Sequence, residues 1–467
     1  MADSSFAADF RVLLAKHNID TPRFAHSARA FDPAKPQVLY SGPVYDADEL
    51  VAATAALCEG KWSVNGEYVN RFERAFSAYL NQRGSVMVNS GSSADLLMVA
   101  ACKACFGWKD GDGIIVSPVG FPTTISAITL NGLRPVFVDI EWETLNADND
   151  LIEKQLAFHA AANDFPHVSL GGPSPVRAIL VSPVLGNPPD IDRLVALSER
   201  YGVKLLMDGC DSLGSTWRGK HLTEYATATT CSFFPSHHVS VLQGGMVSSN
   251  DTELLDLVRS MAAWGKDCWC TGSANLLPNG CCGKRFDCWL KSQPEVVVDH
   301  RYVYTTDRAY NLQPLDLQGA LGLAQMGKIE DIHELRHRHA CTLRLMLWQT
   351  LNNYGNGPVQ LVYETAPHCL PSWFGVPIIC PTYAFKRALV AHLEAAGIQT
   401  RNYFAGNILL HDAYAHLGRA TDYPNANEVL KRVFFLGCHP GLTEAHFAHI
   451  EATLKTFTPP TPCTSTD

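Results

Sequence analysis

The chain has 467 residues, 46% apolar and 18% charged, the balance of a soluble globular enzyme with room for two or three domains. A net charge of −9 argues against a nucleic-acid or anionic-membrane surface. No apolar run approaches the ~18 residues of a membrane span, and MADSSFAADF lacks the basic start and apolar core of a signal peptide, so the expected compartment is the cytosol. Fifteen cysteines are then expected as reduced thiols rather than disulfides, and a local cluster of them needs its own explanation.

Residues 1–60 read as a helical lead-in ending in an extended entry, VLYSGPVYDADEL. A loop then runs into a helix by residue 80, with Phe72, Phe76 and Leu80 at helical spacing. SVMVNSGSSADLLMVAACKA at 85–104 reads as strand, Ser/Gly turn and helix. Such a turn offers backbone N–H groups and small hydroxyls that suit a phosphate, although many Ser/Gly turns are only caps. Two more strand–helix units follow at 113–148, with Phe121 readable either as core or as an exposed ring beside Pro122. After the strand AILVSPV and a helix, LLMDGCDSLGS at 205–215 brings Asp208 to a strand end, with Cys210 in the same turn. The alternation predicts a mainly parallel sheet with helices on both faces.

Residues 232–245, SFFPSHHVSVLQGG, end a strand in a sharp turn carrying His237 and His238, the usual place for chemistry in an α/β enzyme. A histidine pair alone is more often structural. Beyond a helix near 252–263, residues 264–289 read as a loop holding cysteines 268, 270, 281, 282 and 288. DRAYNLQPLDLQGALGLAQMGKIEDI follows at 307–332, then a long helix at 333–350 leading into a smaller domain that contains TRNYFAGN. The tail at 458–467 reads as disordered.

The segments around Asp208 and His237 resemble the DegT-type sugar aminotransferases, pyridoxal-phosphate enzymes of fold type I. There a strand-end aspartate pairs with the pyridine nitrogen, and a lysine in a segment similar to SFHPVKHITTGEGG holds the cofactor as a Schiff base. Here His237 takes the lysine position, as in the family's 3-dehydrase branch, whose motif is similar to SFYPAHHITMGEGG. The resemblance spans about residues 38–457. It implies a mainly parallel seven-stranded sheet sandwiched by helices in a cofactor domain at 61–332, and a smaller α+β domain at 333–457. It further implies pyridoxamine phosphate (PMP, or PLP) held without a covalent bond by Gly91, Ser92, Phe121, Asp208, Asp211 and Ser232. Asn311 would serve the phosphate of a neighbouring subunit, making a homodimer. Arg401 and Asn407 would contact the sugar or nucleotide, with a solvated surface arginine as the alternative. Phe234 and Gln243 depart from the family's tyrosine and glutamate.

One branch of these dehydrases carries an iron–sulfur cluster on a C-x57-C-x-C-x7-C pattern. Fifty-seven residues separate Cys210 from Cys268, and Cys270 completes the C-x-C. The following GKRF selects Cys282 as the fourth ligand, although eleven residues rather than seven separate it from Cys270, an insertion that leaves Cys281 as competitor. The resemblance thus implies a [2Fe–2S] centre on Cys210, Cys268, Cys270 and Cys282; structural zinc and plain thiols are the alternatives. The implied reaction removes the C3 hydroxyl of a CDP- or dTDP-linked 4-keto-6-deoxyhexose. His237 would be the base and Asp208 the pyridinium partner, with electrons supplied by a separate NAD(P)H-dependent flavin or iron–sulfur reductase. A cluster-free dehydratase or aminotransferase-like enzyme, and a non-catalytic cofactor-binding scaffold, are the competing readings.

Overall fold

The computed structural model describes residues 4–17, 31–59, 66–163, 174–267, 283, 285–352, 359–362 and 364–460. Its centre is a seven-stranded sheet of β1 (Gly84–Val88), β2 (Gly113–Val116), β3 (Arg134–Phe137), β4 (Val176–Val181), β5 (Lys204–Asp208), β8 (Ala228–Ser232) and β9 (Gly245–Ser249), in the order β1-β9-β8-β5-β4-β2-β3. The strands from β3 to β8 pair in parallel, and β9 lies antiparallel between β8 and β1. The central strands read as near-continuous apolar runs because helices cover both faces, as a parallel sheet requires. Helix Ile191–Tyr201 shows how one crossover is punctuated. Asp190 caps its first turn, and Gly202 ends it in the left-handed region at φ 64°, turning the chain into β5.

β6 (Thr216–Trp217) and β7 (Lys220–His221) form a minor sheet with β11 (Cys369–Leu370). The small domain is built on β10 (Gln360–Leu361), β12 (Gly375–Ile379), β13 (Thr400–Asn402) and β14 (Val433–Gly437), ordered β10-β12-β14-β13 with antiparallel pairing. Helix Ile329–Leu351 buries Ala340, Leu343, Leu347 and Leu351 in this domain's core. Because it starts at Ile329, the boundary expected at residue 332 falls inside a helix. Among the described residues no helix is long and apolar enough to cross a membrane.

The N-terminal stretch is not one lead-in segment. Helix Ala47–Cys58, with a capping box of Asp46 and Glu49, packs on helix Asp316–Met326 of the large domain. The residues just before it belong to the small domain. Val38 donates to the Gly397 carbonyl at 2.9 Å and accepts from Gln399 N–H at 2.9 Å, a parallel bridge to Ile398. Most of the predicted cysteine-rich loop, including Cys268, Cys270, Cys281 and Cys282, and part of the predicted tail lie outside the described residues.

Candidate active site

Two adjacent strand ends build the site. β5 carries Asp208 to its C-terminal edge, where Cys210 N–H donates to Asp208 Oδ1 at 3.2 Å and Thr124 Oγ1 donates to Oδ2 at 2.5 Å. β8 ends at Ser232, and the chain then loops before returning as β9. The loop is closed by Phe233 N–H to Gly244 O (2.9 Å), Val241 N–H to Phe233 O (3.1 Å) and His237 N–H to Phe234 O (2.9 Å). Phe233 anchors it, fully buried against Phe72 and Phe76 at 5.2 and 5.3 Å.

The two histidines of the turn separate cleanly. His237 lines a cavity of about 530 Å³ together with Asp208, Asp211 and Cys210. His238 points away and is buried, its Nε2–H donating to the Ser372 carbonyl at 3.0 Å. His237 Nδ1 lies 3.6 Å from Asp211 Oδ1, just beyond hydrogen-bonding reach. Burial, reinforced by the nearby Arg336 guanidinium, lowers the His237 pKa to about 3. Burial, then the neighbouring Asp208, raises Asp211 to about 7. The imidazole is therefore neutral at pH 7, and the carboxyl beside it titrates near neutrality.

The phosphate end fits an anion. Ser90 caps helix Gly91–Cys105, accepting from Ser93 N–H at 3.1 Å, and Ser90, Gly91, Ser92 and Ser232 all line the cavity. A Cβ on Gly91 would lie 2.5 Å from Ser232 Cβ and 3.2 Å from Cys210 Sγ, so residue 91 admits no side chain. First-turn N–H groups have no intrahelical partner and favour negative charge. Phe121 is the N-cap residue of helix Pro122–Leu130, 52% exposed and lining the cavity, which removes the core alternative. A strand-end carboxylate, a flat ring and a phosphate cradle in one cavity are what a pyridoxal-type cofactor requires.

Other expected residues fall elsewhere. Arg401 lines the cavity, but Asn407 does not. Asn407 is fully buried, accepting from Leu409 N–H at 3.0 Å and donating to Asn427 Oδ1 at 2.8 Å. Its amide is spent inside the fold, which corrects the substrate-contact expectation. Asn311 is exposed and forms a backbone bridge with Ala263. Cys210 is the described member of the cysteine set. Burial, then the carboxylates Asp208 and Asp95, raise its thiol pKa well above the ordinary value. Phe234 and Gln243, the two departures from the family motif, both line the cavity.

Several residues were missed from the sequence. Asp95 is 2% exposed, accepts from Thr230 Oγ1 at 2.6 Å, and presents an oxygen within 4.8 Å of ligand atoms of Asp208 and Cys210. Burial, then Asp208, raises its pKa well above the carboxylate range. An acid inside the apolar run of GSSADLLMVAA was the available signal. Arg336, 1% exposed, donates to the carbonyls of Trp373 (3.3 Å), Phe374 (3.2 Å) and His237 (3.4 Å), tying the histidine turn to the small domain. Tyr40 joins the cavity wall from the N-terminal stretch.

Residues 44–455 match the model of the DegT/DnrJ/EryC1/StrS aminotransferase family, and the chain belongs to that family. The chain is 35% identical over 426 residues to a dTDP-4-dehydro-2,6-dideoxy-D-glucose 3-dehydratase of Saccharopolyspora spinosa, covering 89% of this chain and 86% of that one. It is 32% identical to the lipopolysaccharide biosynthesis protein RfbH of Salmonella typhimurium, covering 89% of this chain and 91% of that protein. Among solved structures, the GDP-4-keto-6-deoxy-D-mannose-3-dehydratase of E. coli with bound hydrated PLP superposes with a TM-score of 0.73 at 25% identity, covering 90% and 100% of the two chains. The fold is that of the PLP-dependent aminotransferases, as the two strand-end segments implied.

Proposed function

We propose that the chain is a PMP/PLP-dependent 3-dehydratase of a nucleotide-linked 4-keto-6-deoxyhexose. The observation that carries this reading is His237, facing the same cavity as Asp208 at the position where a Schiff-base lysine would stand. The 3-dehydratase names of the relatives support it.

Bound in this cavity, pyridoxamine phosphate supplies a primary amine and an electron-accepting pyridine ring. Gly91, Ser92 and Ser232 would hold its phosphate, Phe121 would cover its ring and Asp208 would pair with the ring nitrogen. His237 moves the proton. An imidazole with a pKa near 3 is a weak base, but ionisation of Asp211 near pH 7, 3.6 Å away, strengthens it. The same carboxylate then stabilises the imidazolium formed when His237 accepts a proton.

The cluster-dependent form of this reaction rests on cysteine spacing and includes a [2Fe–2S] centre, a reductase in trans and a homodimer completed by Asn311. The alternative is a dehydratase working without the cluster. An anaerobic assay with PMP, a reductant and a panel of nucleotide 4-keto-6-deoxy sugars tests the proposal. Loss of the C3 hydroxyl supports it. Amino transfer to C4 with the hydroxyl retained would sink it, and iron content at turnover separates the two forms.

A further inference from the structure

The cavity is walled by two parts of the chain. Gly91, Ser92 and Ser232 form the phosphate cradle on the large domain. Another part of the wall comes from the small domain and the N-terminal stretch: Tyr40, Arg401, Phe404 and Phe435. Arg401 and Phe435 are cross-strand partners on β13 and β14, so their side chains share one face of that sheet. The Arg401 guanidinium lies 3.9 Å from the centroid of the Tyr40 ring, and that ring meets Phe435 edge-on at 6.3 Å.

Tyr40 is fixed from behind. The bonds of Val38 to Gly397 and Gln399 hold the strand before it, and His439 Nε2–H donates to the Leu39 carbonyl at 2.9 Å. A Cβ on Gly437 would stand 1.8 Å from the Tyr40 carbonyl oxygen, so the backbone of residue 40 lies directly against β14. The ring is thus a fixed platform. Arg401 Nη1 donates to the Thr400 carbonyl at 2.7 Å, which fixes the guanidinium in its own plane. No carboxylate among the described residues forms an ion pair with Arg401. A cation that is exposed, flattened on a ring and without an acidic partner, in a cavity whose floor carries Asp208 and Asp211, is set for an anion from outside.

We propose that Tyr40 is a positioning residue that holds Arg401 as a second anion site of the cavity, and that this site takes the diphosphate of the nucleotide sugar. The proposal rests on the function proposed above, which places the hexose over His237 and so leaves the diphosphate toward the cavity rim. A planar guanidinium matches two phosphate oxygens, and stacking keeps it oriented before the ligand arrives. An amino-acid carboxylate would offer related chemistry from a different source.

The test is equilibrium binding of CDP, dTDP and L-glutamate to the PLP-loaded protein, with PLP occupancy read from its visible absorption. Tyr40→Leu should weaken nucleoside diphosphate binding about tenfold, the range of a desolvated cation–π contact. Tyr40→Phe, which keeps the ring, should restore it to within about twofold. Arg401→Lys keeps the charge without the fork and should weaken binding despite normal PLP occupancy. With substrate, Tyr40→Leu should raise KM and change kcat little. If Tyr40→Leu weakens only glutamate binding, or Tyr40→Phe binds as poorly as Tyr40→Leu, the proposal is overturned while the 3-dehydratase reading stands. If the wild-type protein binds no nucleoside diphosphate, both fall.

Discussion

His237 Nδ1 and Asp211 Oδ1 face each other at 3.6 Å inside the cavity, an imidazole and a carboxyl whose pKa values burial drives toward and past each other. In water the acid would be charged and the base half-charged near pH 6.5. In the fold, both are neutral just below pH 7. His237→Asn should therefore cost 10²–10⁴ in dehydration, the usual contribution of a general base. PLP should still bind, because the phosphate cradle and Asp208 are untouched. Borohydride treatment of the PLP-loaded wild type should leave no cofactor attached to the chain; a phosphopyridoxyl-lysine would refute the assignment.

Gly91→Ala places a methyl group 2.5 Å from Ser232 Cβ and 3.2 Å from Cys210 Sγ. Overpacking of this kind costs about 1–3 kcal/mol. PLP affinity should fall roughly tenfold to a hundredfold, read by titration of the visible absorption, with far-UV circular dichroism unchanged. Affinity equal to the wild type would mean that the phosphate lies elsewhere.

Asn407→Ala should behave as a stability variant. It leaves Leu409 N–H and Asn427 Oδ1 without their partner, at a cost of about 1–3 kcal/mol in a buried site. Urea unfolding should show the loss, and KM for the nucleotide sugar should stay at the wild-type value. A raised KM with unaltered stability would return Asn407 to the substrate site.

Stability should fall as the protein is acidified below about pH 6.5. His237, His333 and His439 have folded pKa values near 3, and His238 lies well below its ordinary value, all through burial first. Each contributes stability present above the unfolded pKa and lost as pH drops toward the folded one. Asp95 and Asp211 work in the opposite sense, because their raised pKa values keep protons on the folded chain. His159, His221, His339 and His446 are lowered as well, against Glu141 and Asp256 raised, so eight lowered histidines face four raised acids and unfolding should take up protons between pH 6 and 5. Urea midpoints measured across that range check this; a flat profile contradicts it.

For the iron–sulfur form, Cys210→Ser and Cys282→Ser should each lose iron, and Cys281→Ser should keep about two irons per subunit, as a [2Fe–2S] centre demands. Iron analysis of anaerobically purified protein decides the matter. Equal iron in all three variants removes the cluster from this chain.

Asp208 and His237 were legible because one ends a buried strand and the other follows the end of the next within a recognisable local string. Gly91 and Ser92 were legible for the same reason. Asp95 was not, because Thr230 and Asp208 reach it from strands more than a hundred residues away. Tyr40 was hidden by a still longer separation, since its partner Arg401 stands at the other end of the chain. Asn407 misled in the opposite direction: an asparagine beside a cavity arginine reads as a ligand contact, and nothing local reveals that Asn427 consumes its amide. Phe121 could be read as core or as an exposed ring, and only its exposure on the cavity wall decided between them.

The bridge between Val38 and Ile398 also sets an order of events during synthesis. Residues near the start of the chain must wait for residues made almost last before they can settle, and closing so long a loop is slow compared with local pairing. The strands of the large sheet are all made by Ser249, whereas the wall that carries Tyr40 needs β14 at Val433–Gly437. The nascent protein would thus own its cofactor cradle before its cavity is complete, and a chain stopped short of β14 should bind the phosphate end of the cofactor and still lack that wall.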